Sequence, residues 1–183
     1  MKSAELLKKL TTGAQEDKWR LIYFDEAGFA ASPPIQYGWS PIGKPHVAEP
    51  KPHCRRSVLG ALDYGANRLD YQIECKPVTR DTVVDFLQQI AEQNSSKLTF
   101  VILDNAQIHH HFAKELTDRW LFEHHMLLLY LPAYSPELNK IEMVWKQAKY
   151  HWRRFVTWTK ETMEQELDSL LAGYGEKYEI CFS

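Results

Sequence analysis

Cysteine is scarce in this sequence. Cys54, Cys75 and Cys181 are three, odd in number and widely spaced, with no CxxC pair. That excludes a disulfide framework and a zinc ribbon, and it fits reduced thiols in a cytosolic protein. Long apolar runs are also missing. None approaches the roughly 20 residues that a membrane span needs. The opening stretch MKSAELLKKLTTGAQEDKW is charged and amphipathic and has no apolar signal-peptide core. No membrane partner is expected. The phosphate loop GxxxxGK(S/T), the dinucleotide fingerprint GxGxxG and the nucleophile elbow GxSxG do not occur. Nor do internal repeats or low-complexity segments. A strong positive balance is lacking too: net charge is −2, so no global basic field advertises a polyanion partner.

What remains is an ordinary globular composition, 44% hydrophobic and 25% charged over 183 residues. That length suits one domain with a sizeable core. Charge is unevenly spread. Residues 140–160 hold six Lys or Arg and one acid, Glu142, whereas residues 161–183 hold six acids and one Lys. A basic segment therefore sits beside an acidic tail.

Apolar periodicity divides the chain as follows. Residues 1–18 read as a short helix or linker closed at Thr12–Gly13. WRLIYF (19–24) reads as a strand that ends on Asp25. Six prolines in residues 32–52 argue for an extended loop region, with a short strand near 36–39. SVLGALDY (57–64) and RLDYQIEC (68–75) flank Gly65-Ala66-Asn67 and read as a hairpin. Residues 79–93 form a helix capped by Thr79 or Asp81. The continuous apolar run at 98–103 is the pattern of a strand buried on both faces. A helix over about 110–123, a second apolar run at 126–131, a turn at 132–136, a helix from about Asn139 to Phe155 and an amphipathic helix at 161–171 follow. An antiparallel opening succeeded by βαβαβ predicts an α/β protein: a mixed five-stranded sheet with helices on both faces.

The chemistry-bearing residues are acids beside those elements. Asp25 and Asp104 each close an apolar run, and Glu142 opens a helix after a proline-rich turn. Ligands and chemistry favour the carboxyl ends of strands in open α/β sheets. Three converging carboxylates suit hard divalent cations such as Mg²⁺, and two such ions can drive phosphodiester chemistry. Acids at strand ends are also common on plain surfaces, so spacing leaves both readings open. Along the last long helix, Ile141, Trp145, Ala148, Trp152 and Phe155 make an apolar stripe, with Glu142, Lys146, Lys149 and Arg153 one residue on. One acid trailed by three bases, with Lys140 just ahead, suits a metal site continuing into a phosphate track; it equally suits a solvated face with an i,i+4 ion pair. Glu26 points to the opposite side of its strand from Asp25 and is left out of the site. His109, His110, His111, His124 and His125 lack partners at zinc-ligand spacing, although His109 or His110 falls near the Asp104 cleft. The six tryptophans read as packing residues.

Four motifs in order carry a family resemblance: FDEAGF at 24–29, GWSPIGKP at 38–45, LDNAQIHH at 103–110 and LPAYSPELNKIEMVWKQAK at 131–149. Together they resemble the DDE transposases of bacterial insertion sequences, in the mariner-like superfamily. The resemblance covers about residues 19–156. It implies a ribonuclease-H-like fold, a catalytic unit at 19–156, and a helix and tail at 157–183 packed on it. It further implies that Asp25, Asp104 and Glu142 form the catalytic triad and bind two Mg²⁺ or Mn²⁺ ions. The implied reaction nicks DNA at element ends and joins the freed 3′-hydroxyl to target DNA. DNA is then the partner, a homodimer follows from cutting two ends together, and a cytoplasmic, nucleoid-associated location is expected. Three departures stand out. The family's N-terminal helix-turn-helix region is absent, which implies either a separately encoded DNA-binding subunit or a truncated remnant that binds DNA or a partner without cutting. The 37 residues between Asp104 and Glu142 are a few more than usual. Lys140 stands where the family commonly has proline, a residue suited to the first helical turn but not required there.

Overall fold

The computed structural model describes residues 2–31, 41–42, 54–93, 96–109, 112–133, 135–152 and 159–182. The expected short strand at 36–39 and most of the GWSPIGKP motif lie outside these. Five strands form one sheet: β1 (Arg20–Ala30), β2 (Arg55–Asp63), β3 (Arg68–Glu74), β4 (Thr99–Leu103) and β5 (Met126–Tyr130). Their spatial order is β3-β2-β1-β4-β5. β2 pairs antiparallel with both β1 and β3. β4 pairs parallel with both β1 and β5. The helices are α1 (Lys2–Gln15), α2 (Arg80–Glu92), α3 (Lys114–His124), α4 (Ile141–Trp152) and α5 (Lys160–Leu171).

Side chains alternate across a strand, and the two faces of β1 show this directly. Leu21, Tyr23, Ala27 and Phe29 join one apolar cluster with Leu10 and Ala14 of α1, the buried face of α4, and Met163, Leu167 and Leu171 of α5. Ile22 and Phe24 join the other, with Val83, Leu87 and Ile90 of α2 and Trp120 of α3. α1, read from sequence as a short helix or linker, contributes to the same core as the sheet; the Trp19 indole N–H also donates to the Leu10 carbonyl at 2.9 Å. At the sheet's opposite end from the acids' strand ends, Arg20 donates to Asp63 at 2.6 Å and to Gln93 at 2.7 Å. The three cysteines are free, and no described helix is long and apolar enough to cross a membrane.

Several boundaries differ from expectation, each for a physical reason. β1 does not end at Asp25. It runs on to Ala30 because β2 pairs with it continuously from Ile22 to Ala30, and that ladder overrides the weak strand preference of Asp-Glu-Ala-Gly. α3 starts at Lys114, not near 110, because Gln107–His109 first make a separate 3₁₀ turn. Thr79, not Asp81, caps α2 by accepting from the Thr82 N–H. The described part of α4 ends at Trp152, and Phe155 lies outside the described residues. Among the described residues, the positive-φ glycine is Gly175, φ 87°, beyond the end of α5.

Candidate active site

The parallel ladder between β1 and β4 ends at the pair Tyr23–Ile102. Asp25 and Asp104 each lie two residues beyond that pair, so they sit at matching heights on neighbouring strands, which run about 4.8 Å apart where paired. Asp25 is buried at 8% exposure and, by parity, shares the face of Tyr23 and Ala27, the face that α4 covers. Asp104 begins the loop after β4.

Glu142 arrives on α4, and two hydrogen bonds tie that helix to β1. Ahead of the helix, the Asn139 amide donates to the Phe24 carbonyl at 3.1 Å. At its far end, the Trp152 indole N–H donates to the Ala30 carbonyl at 2.8 Å. The spans match: thirteen residues at the helical rise and six at the strand rise each cover about 20 Å. Between the pins, Ile141, Val144, Trp145 and Ala148 are buried, as the apolar stripe predicts. Close approach depends on Gly60, which pairs with Asp25. A Cβ at Gly60 would meet the Trp145 ring at 2.4 Å. The strand residue beside Asp25 is therefore a glycine that lets α4 lie near enough to bring Glu142 to the same end.

The acids feel one another. Burial, then the charge of Glu142, then those of Glu26 and Asp104 push the Asp25 carboxyl up to about 7, partly offset by a hydrogen bond from the Glu26 backbone N–H. Such crowding of carboxylates favours a proton or a cation between them. Among the described residues, no three His, Cys, Asp or Glu side chains form a ready-made metal cage. Mg²⁺ does not require one: it usually takes one or two carboxylates and completes its shell with waters and substrate phosphate oxygens. The donor set here, oxygen only and net negative, fits that ion and Mn²⁺.

Glu26 does point away from Asp25, as alternation requires, but it is not idle there. Its carboxylate meets His109 Nε2 at 2.9 Å, and His109 Nδ1 meets Asp104 Oδ1 at 2.5 Å. The Ala106 N–H also donates to Asp104 Oδ1, at 3.0 Å. His109 is fully buried, lies edge-on to Phe24, and accepts from the Tyr130 hydroxyl through its carbonyl at 2.8 Å. Burial opposes charge on His109, but its bonds to Asp104 and Glu26 outweigh that and raise it to about 9. Sequence reasoning placed a histidine near the cleft without choosing between His109 and His110; His110 lies outside the described residues. The link to Glu26 spans 83 positions and has no spacing signal.

Of the expected phosphate track, Lys146 is exposed and Lys140 and Lys149 are half-buried. Glu142, Lys146 and Lys149 line one groove with Tyr150 and Ile180. Arg153 lies outside the described residues. Asp104 lines a separate hollow with Leu131, Pro132 and Ser135.

The sequence matches the family described as DDE superfamily endonuclease over residues 20–164. No curated protein sequence matches the chain. Among solved structures, the Mos1 transposase paired-end complex with left transposon end is similar at TM-score 0.63 and 17% identity, covering 91% of this chain and 52% of that one. The Mos1 strand transfer complex gives 0.65 and 17%, covering 91% and 51%. A simian T-cell lymphotropic virus intasome in complex with a PP2A regulatory subunit gives 0.56 and 8%, covering 88% and 50%. The chain spans about half the length of these structures, and at such identities the likeness is one of fold. The fold is ribonuclease-H-like, as the motifs implied. With the family match running from the first strand into the last helix, the chain belongs to the DDE superfamily endonucleases.

Proposed function

We propose that this chain is a transposase catalytic domain that cuts DNA phosphodiester bonds at transposon ends and joins the 3′-hydroxyl ends to target DNA. The observation that carries the reading is the buried Asp25 carboxyl, two residues past the end of the β1–β4 ladder beside Asp104, with Glu142 brought to the same end by α4 pinned to β1. Asp25, Asp104 and Glu142 would hold two Mg²⁺ or Mn²⁺ ions. When bound, such ions make a potent oxygen nucleophile at neutral pH and stabilise the leaving oxygen. The chain's own residues do the rest. Strand β1 and the loop after β4 hold two carboxylates rigidly; α4 delivers the third and carries Lys146 and Lys149 along the groove where a phosphate backbone would run.

The Mos1 complexes contain paired transposon ends and, in separate structures, Mn or Mg. By that likeness, two copies of this chain would act together on two DNA ends. Residues 19–156 would be the catalytic unit, with 157–183 packed on it, in a cytoplasmic, nucleoid-associated protein.

The test is Mn²⁺ binding together with nicking of supercoiled DNA, on wild type and Asp104→Asn. The expected result is nicking by wild type and a loss of at least about 100-fold in the variant, with metal binding weakened in parallel. DNA binding without any metal-dependent nicking by wild type would instead support a remnant that acts as a DNA- or partner-binding module.

A further inference from the structure

Beyond the three acids, the structure contains a polar bridge on the other face of the sheet. The β1–β4 ladder stops at Tyr23–Ile102, and Asp25 and Asp104 both lie past it. Across the gap runs Glu26–His109–Asp104, with both imidazole nitrogens engaged, at 2.9 and 2.5 Å. Glu26 is the peptide neighbour of Asp25. The bridge therefore ties Asp104 to the same dipeptide that carries Asp25.

We propose that Glu26 and His109 are positioning residues that set the orientation of Asp104 relative to Asp25, a role that rests on the metal-site reading above. Three observations support it. His109 is fully buried although flanked by two carboxylates, and apolar side chains filling such a space are often as stabilising or more so. The Ala106 N–H and His109 converge on one Asp104 oxygen, which fixes the carboxylate plane. The imidazole packs edge-on against the Phe24 ring, and the Tyr130 hydroxyl donates to the His109 backbone carbonyl, so the bridge is seated on both sides. Partners that orient a metal ligand in this way typically govern metal affinity by 10- to 100-fold.

The test uses the full chain and reads free Mn²⁺ by electron paramagnetic resonance, alongside the metal-free melting temperature. Glu26→Leu is expected to weaken Mn²⁺ binding about 10- to 100-fold. Glu26→Gln keeps an oxygen acceptor for His109 and is expected to remain within about threefold of wild type. If Glu26→Leu does not fold, Glu26→Asp, whose carboxylate stops about one methylene short, is expected to show the same loss. A variant whose melting temperature falls while its Mn²⁺ affinity stays at the wild-type value would make Glu26 a fold-stabilising residue only, and the inference fails. Asp104→Asn separates the two levels. If wild type binds Mn²⁺, Asp104→Asn does not, and Glu26→Leu binds like wild type, the metal site stands and the positioning role falls. If Asp104→Asn binds like wild type, or wild type binds nothing, the metal-site reading falls and takes this inference with it.

Discussion

With divalent cations chelated, Asp25 and His109 both make the fold less stable as pH rises. In each case the folded state holds the proton more tightly than the unfolded chain. Asp25 moves from its ordinary 3.8 to about 7, so its stabilising protonation is complete below about pH 4 and is lost between there and about 7. His109 moves from 6.5 to about 9, so its contribution is lost over that higher window. Urea midpoints in EDTA at pH 5 and pH 8 check this: Asp25→Asn should shrink the difference and raise the midpoint at pH 8. Gly60 is the second residue whose role is sharply readable. Gly60→Ala forces a Cβ against the Trp145 ring, at 2.4 Å in the present packing, and should cost about 1–3 kcal/mol by chemical denaturation. Such residues were the least legible from sequence. A glycine in SVLGALDY gives no hint that an indole lies over it, and Glu26 could be assigned a face but not a partner.

Strands and helices were far more legible than their ends. Continuous apolar runs gave β4 and β5, helical spacing gave α2 and α5, and the stripe through Ile141, Trp145 and Ala148 faces the core. β1 exceeded its apparent length because the second half of that strand is held by β2 alone, a pairing made far along the chain. α4 behaves as a bar fastened to β1 at Asn139 and Trp152. Asn139→Ala removes the fastening next to Glu142 and should cost about 1–3 kcal/mol. Hydrogen exchange should then quicken in the first turns of α4 and leave β4 unchanged; equal protection throughout would show that packing alone holds the helix. The basic side of α4 is testable separately. Lys146→Ala with Lys149→Ala should weaken DNA binding on all sequences alike and reduce the salt slope by about two.

At the scale of the molecule, a mixed five-stranded sheet was recoverable because hairpin, helix and βαβ patterns leave few topologies open. The acids' convergence was not, since it depends on register and on the seat of α4. That convergence also has a consequence in time. Asp25, Asp104 and Glu142 come from the first strand, the fourth strand's exit and the fourth helix, so no early segment carries a complete set. During synthesis, which proceeds from the N-terminus, the hairpin and its flanking helices are made while the last carboxylate is still unmade. A chain interrupted before residue 142 would lack the helix that brings Glu142, and on the proposed function it would be unable to cut DNA. On that reading, the order of assembly keeps the proposed activity silent until nearly the whole domain exists.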